Sequence, residues 1–506
     1  MVETPRYADR PGLDNDGSDA AAHQAPRTSP MRMGTRDATD ADMIAPVPHD
    51  PHGNLDGAGE PQIDASAVAT DDRGHMPSYS GRTLITRTLD RRSFVKSATG
   101  VAAVVPGLAQ GGTRQAARRT GALFAYVGTY SAPPEGAPPG RNGPAPGNGR
   151  GIHIFRVDRE TGALTPAGVS DHDTSPTAVT LNSAGTHLYS TNATDLVDNG
   201  SSGTVTAFAV DRRTGQLAPL NTIASGGLGP TYASVHATGA HLLVANYAGG
   251  SVAVLPILPD GRLGPATDVR KTTGTLGPTR ATSAPDGSFA ISGHDAPHAH
   301  MIQADPAGHF ILAPDLGLDR IFVWAFDATT GRLTPADPPS TALPPGDGPR
   351  HFAFHPSGTW LYSIQEEGST IVVFDYDATR GRLAARQTIS SLPEGYAGSN
   401  FCSGILVSGD GRFLYAGNRL HDSIGIFAIG RDGTLTWVDD VWTRGDYPRS
   451  MSIEPGQQFL YVCNQRADHV TTFRIDQASG GLSFTGQYTP VGSPSAIAWL
   501  DTTSAD

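Results

Sequence analysis

The sequence predicts an all-β fold, a seven-bladed β-propeller, and three observations predict it. A phrase of Asp, short Gly turn and Leu recurs seven times: DRETGAL at Asp158, DRRTGQL at Asp211, DGRL at Asp260, DATTGRL at Asp327, DATRGRL at Asp377, DGTL at Asp432 and DQASGGL at Asp476. Copies are preceded by alternating apolar runs such as IHIFRV, TVTAFAV, RIFVWAF, TIVVFDY, SIGIFAI and HVTTFRI, the period-two signature of strands joined by a Gly hairpin. A unit of roughly 50 residues repeated in this way is the signature of a propeller blade.

The elements follow in order. LFAYVGTY, from Leu123, opens in mid-unit without a first strand, and SPSAIAWL at the other end is a first strand without partners. Together they complete one blade, so the ring is expected to close through strands from both termini, leaving only short protected edges. Within each unit a polar residue begins the first strand: Thr177, Thr231, His300, Arg350, Ser403, Arg449 and Ser495. Fifteen residues after each of the first six stands an amide or carboxylate: Asn192, Asn246, Asp315, Gln365, Asn418 and Asn464. Antiparallel geometry places the start of the first strand and the end of the second on one rim. The residues after the amides, Ala193, Tyr247, Leu316, Glu366, Arg419 and Gln465, belong to the same rim.

Composition agrees with this architecture. In 506 residues there are 61 Gly and 40 Pro with 17% charged residues, which suits many turns and little helix. A formal charge of −12 argues against a nucleic-acid partner, which calls for a basic stripe. No apolar run is long enough for stable membrane insertion, and a monomer is the expectation. The domain division is residues 1–82 as a disordered extension, 83–120 as an export-signal-like segment with linker, and 121–502 as the propeller. The first is rich in Asp, Pro, Gly, His and Ala without periodicity. In the second, Arg91-Arg92-Ser93-Phe94-Val95-Lys96 before a weakly apolar stretch resembles a twin-arginine signal, implying an extracellular or cell-envelope protein; without it the protein is expected to be cytoplasmic. Such signals begin near a start codon, so translation from Met76 is expected. Cys402 and Cys463 fall at different repeat positions, have no metal-type spacing, and are expected to be buried free thiols.

The chemistry gathers on one side of the rim. Thr177, Thr231 and Ser495 offer small hydroxyls, whereas His300, Arg350, Glu366, Arg419 and Arg449 offer charge. Arginines present a planar fork to carboxylate or phosphate and can stabilise charge on a carbonyl oxygen. His300 or Glu366 can move a proton. The structural alternative is that the arginines pair with carboxylates and tie blades together. His298, just outside the aligned position, together with Arg449, Asp315 and Asn418, is expected to contact substrate. His298-Ala299-His300 supplies only one pair of potential ligands, so neither a metal nor another cofactor is expected.

The motifs PHAHMIQADPAGHFILAPDLGLDRIFVW, GPRHFAFHPSGTWLYSIQEE, GRFLYAGNRLHDSIGIF and YPRSMSIEPGQQFLYVCNQ occur in order. Through them Gly121 to Leu500 resembles the seven-bladed lactonases, which include bacterial 6-phosphogluconolactonases and fungal carboxymuconate-lactonizing enzymes. The resemblance implies a working site at His300, Arg350, Glu366 and Arg419 and a small-molecule lactone substrate. The expected reaction is hydrolysis of a sugar lactone, Arg350 and Arg419 holding the anionic group and carbonyl oxygen while His300 or Glu366 deprotonates water. A lactonizing cycloisomerase and an exported, non-catalytic binding propeller are the alternatives. One departure bears on them: members of the family commonly carry an acidic residue where this chain has Ser403-Gly404. Two insertions, Ser131–Arg150 and Gly274–Ala296, are placed to narrow the cup.

Overall fold

The structure is a computed structural model that describes residues 121–131, 147–171, 173–291 and 293–503. The expected extension (1–82), the signal-like segment (83–120) and most of the first insertion lie outside the described residues. Twenty-eight strands form seven four-stranded antiparallel sheets, each built from consecutive strands except one. That one closes the ring: Pro494–Asp501 pairs with Leu123–Thr129, followed outward by Ile152–Val157 and Leu164–Ser170. Counting it as blade 1, the innermost strands of blades 2 to 7 are Pro176–Leu181, Pro230–Val235, Gln303–Ala304, Pro349–Phe354, Cys402–Val407 and Pro448–Ile453.

The repeated Asp phrase has a local cause. Asp158 accepts the backbone N–H groups of Glu160 and Thr161, both at 2.9 Å, and the hairpin then turns through Gly162 at φ 74°. An Asx-type acceptor followed by a left-handed residue is the chemistry such a turn needs. The Gly carbonyl has a second use. Tyr126, Tyr189, Tyr362, Tyr415 and Tyr461 each donate a hydroxyl hydrogen bond of 2.8–3.2 Å to the hairpin Gly of the following blade, at Gly215, Gly261, Gly433, Gly480 and Gly162. The Leu-Tyr strand and the Gly turn are therefore two halves of one interblade clasp. Blades 3 and 4, with Leu243 and Leu312 at this position, lack it.

Apolar clusters fill the interfaces between blades, and the one at closure joins Leu123, Phe155, Tyr461 and Val491. Tyr461 is fully buried and its bond to Gly162 spans the closure. Tyr461→Phe leaves that carbonyl without its donor and is expected to cost about 1–3 kcal/mol. Urea denaturation measures this; an unchanged midpoint would show that the clasp adds nothing.

Candidate active site

Six of the seven innermost strands carry a register shift next to the polar residue. Pro349 pairs with Gln365 but His351 with Ile364, leaving Arg350 as the extra residue. The same shift leaves out Thr177, Thr231 and Arg449. A bulge re-aims a side chain, and here it turns the polar column toward a central channel. That channel has a volume of about 570 Å³ and is lined by Thr177, Thr231, His300, Arg350, Arg449 and Ser495 among others.

Glu366 is the hub of the charged side. Its Oε2 lies 2.9 Å from Arg350 Nε and 2.7 Å from Arg419 Nη2, and all three side chains are buried. Arg350 also donates to the Ser403 carbonyl (2.6 Å), and Arg419 to the Cys402 carbonyl (2.9 Å) and the Tyr447 hydroxyl (3.1 Å). Burial favours a neutral Glu366, but the guanidinium charges of Arg419 and Arg350 outweigh it and hold the carboxyl below its ordinary range. Burial, and then the neighbouring Arg419, pull Arg350 down to about 9, so it remains cationic at neutral pH. Burial also opposes charge on Arg419, but Glu366 more than compensates and raises its pKa.

His300 stands beside this pair in a different electrostatic state. It is buried, its ring meets Tyr247 and His351 edge-on at 5.3 and 5.1 Å, and its Nδ1 has no hydrogen-bond partner among the described residues. Burial first, then the Arg350 charge, push its pKa well below the ordinary imidazole value. His351, next to Arg350, is held neutral by the same causes.

The structure thus brings His300, Arg350, Glu366, Arg419 and Arg449 to one rim, and it places the other expected site residues differently. Asp315 is fully buried, accepting from the Thr272 hydroxyl (2.6 Å) and the backbone N–H groups of His298 (2.9 Å) and Leu318 (3.1 Å). Asn418 is fully buried and bonds Ser391, Asn400 and Ser423. Both support the rim from beneath, because the amide column pairs within the ladder. His298 has both ring nitrogens occupied, by the Tyr247 carbonyl and Asp295 at 3.0 Å each, and stacks on Tyr247 with centroids 4.2 Å apart. Among the described residues no group of three or more His, Cys, Asp or Glu is arranged to hold a metal ion.

Three residues of the cup escape sequence reasoning. Tyr130 follows the second strand of blade 1, and extending the amide column to LFAYVGTY finds it. Tyr447, at φ 59°, occupies the turn position where Gly229 and Gly348 stand in blades 3 and 5. It packs between Arg419 and Arg466, with ring distances of 5.2 and 4.0 Å. His351 lies one residue beyond the aligned column, and only the bulge reveals that it reaches the channel.

The second insertion lies over the charged side. Ser283 hydrogen-bonds Asp347, Phe289 N–H donates to Ser399 (2.9 Å), and His294 sits between Asp319 (3.1 Å) and Glu367 (3.0 Å). Burial opposes charge on His294, but the two carboxylates outweigh it and raise its pKa to about 9. Gly404 lines the channel, and a Cβ there would approach nothing closer than 3.7 Å. A Cβ at this position would therefore be accommodated in ordinary van der Waals contact.

The family model described as "Lactonase, 7-bladed beta-propeller" matches residues 124–499. The chain belongs to this lactonase family. It is 31% identical over 377 residues to a 6-phosphogluconolactonase of Bacillus subtilis, covering 74% of this chain and 97% of the relative. A 6-phosphogluconolactonase of Formosa agariphila is 29% identical over 343 residues, covering 66% and 91%. Among solved structures, the Pseudomonas aeruginosa periplasmic gluconolactonase PpgL is 30% identical, with a TM-score of 0.64 and coverage of 75% of this chain and 99% of that one. The cysteines Cys402 and Cys463 are free and buried, and no helix among the described residues is long and apolar enough to cross a membrane.

Proposed function

We propose that the protein hydrolyses a sugar lactone of the 6-phosphogluconolactone type. The observation that carries the proposal is the neutral imidazole of His300 lining the same channel as the fixed Arg350 cation. The His300 imidazole takes a proton from water as the water oxygen bonds to the lactone carbonyl carbon. Arg350 faces the oxyanion that forms, with Glu366 and Arg419 holding its guanidinium in place. The ring C–O bond then breaks, and the leaving ring oxygen takes the proton from the imidazolium to give the open hydroxy acid. Glu366 is a positioning group in this scheme, because two guanidiniums already engage its carboxylate. The names of the Bacillus and Formosa relatives support a phosphorylated sugar lactone, and that of PpgL an unphosphorylated one.

The base must be neutral to act. Because the folded pKa of His300 lies below the ordinary 6.5, the acid limb of kcat/KM is expected below pH 6.5, with activity persisting as pH falls through the usual imidazole range. Initial rates from pH 4.5 to 8, corrected for spontaneous hydrolysis, test this. An inflection at or above 6.5 would remove His300 as the base.

We further infer that a monomer is exported by the twin-arginine route, a reading supported by Arg91-Arg92-Ser93-Phe94-Val95-Lys96 and by the periplasmic relative. Fusing residues 1–120 to a reporter active only outside the cytoplasm tests export. A silent reporter, unaltered by an Arg91→Lys, Arg92→Lys control, would count against it.

A further inference from the structure

The three guanidiniums of the cup are not equivalent. Glu366 makes direct ion pairs with Arg350 and Arg419, whereas Arg449 makes none among the described residues and acts on Glu366 only at longer range. Three arginines against one carboxylate, with His300 and His351 neutral, leave an excess of two positive charges in a recess whose walls are buried. A partly desolvated cation without a counter-charge is costly, so this arrangement favours an incoming anion.

Arg449 is held without being neutralised. Its guanidinium lies over the Tyr130 ring at 4.8 Å, and Tyr130 is buried in the closing blade. Stacking of this kind orients the planar group and leaves its N–H donors free. Around the ring from blade 7 come Ser495 of blade 1 and Thr177 of blade 2, both lining the same channel. The Thr177 side chain is 4% exposed, and its Oγ1 is buried without a hydrogen-bond partner. A free guanidinium and an unpartnered hydroxyl thus occupy the arc of blades 7, 1 and 2. The proposed reacting groups lie on the adjoining blades 4 to 6.

We propose that Arg449, seated on Tyr130 and aided by Thr177, binds an oxyanion substituent of the substrate and so sets specificity for an anionic over a neutral lactone. This rests on the lactonase reading above and adds a division of labour to it. Arg350 serves the carbonyl end, and Arg449 serves a phosphate or carboxylate at the other end of the molecule. A guanidinium bonded to an oxyanion through two N–H groups gives both charge and direction, which a point charge does not.

The test separates binding from catalysis. Calorimetry of the full chain with 1,5-anhydroglucitol 6-phosphate, which has no reactive carbonyl, and with unphosphorylated 1,5-anhydroglucitol reads the site directly. Arg449→Gln is expected to weaken the phosphorylated analogue at least tenfold and leave the neutral one unchanged, with Arg449→Lys recovering part of the loss. In kinetics, the same Gln variant is expected to raise KM for 6-phosphogluconolactone at least tenfold more than it raises KM for gluconolactone. Equal effects on charged and neutral ligands, or no preference for the phosphorylated analogue in the unaltered chain, would overturn the proposal. If the phosphorylated analogue binds through Arg449 but no lactone is hydrolysed, the anion site stands and the lactonase reading falls.

Discussion

Glu366→Gln is expected to be the most damaging single substitution in the cup. Gln keeps the shape of the side chain but removes the one carboxylate shared by Arg350 and Arg419, raising the excess positive charge from two to three. Removing one partner of a buried ion pair leaves an uncompensated charge, at a cost of about 3–5 kcal/mol. It also releases the guanidinium proposed to face the reacting carbonyl, for which a loss of roughly a hundredfold in kcat is expected. Both effects should appear together, and added phosphate should restore part of the stability by supplying the missing anion. Thermal unfolding with and without phosphate, alongside kcat, measures them. A variant as stable as the unaltered chain would show that Glu366 does not hold the arginines.

His300→Gln is expected to behave in the opposite way, with a large effect on rate and a small one on stability. The imidazole proposed as the base has a buried Nδ1 that makes no hydrogen bond among the described residues, so its removal breaks none there. The ring contacts with Tyr247 and His351 are lost, which is a modest packing effect. Loss of a positioned general base is expected to lower kcat by roughly a hundred- to ten-thousand-fold, with KM little changed. Parallel loss of stability and rate would instead mark His300 as a structural residue. The contrast with Glu366→Gln separates the group that moves a proton from the group that holds its neighbours.

Much of the fold was legible because its signals are local and repeated. Period-two runs, Asp-Gly turns and the incomplete units at both ends gave seven blades and ring closure. The charged column was legible for the same reason, since Arg350 and Arg449 break a pattern of small hydroxyls. What stayed hidden depends on how blades meet. The Tyr461 clasp on Gly162 joins residues 299 positions apart in the sequence. Alignment alone put Asp315 and Asn418 beside the bulge residues, but both are buried and their polar atoms bond neighbouring loops and strands, Asp315 with Thr272 and the backbone of His298 and Asn418 with Ser391 and Asn400. The sharing of Glu366 between two arginines also depends on the adjacency of blades 5 and 6, which brings Arg419 as well as Arg350 to one carboxylate oxygen. That contact realises the expected structural alternative for these two arginines, and it is the reason Arg449 stands apart.

Gly404 links the family pattern to this cup. Its channel-facing position has room for a side chain, so the absence of an acid there does not reflect a steric constraint. One simple comparison distinguishes a working lactonase from a propeller that only binds anions.

That comparison is the hydrolysis of 6-phosphogluconolactone and of gluconolactone by the purified full chain, measured against spontaneous hydrolysis and against His300→Gln. The account predicts acceleration of at least one lactone by the unaltered chain and its loss in the variant. A folded chain that accelerates neither, or a variant that retains the full rate, would contradict it.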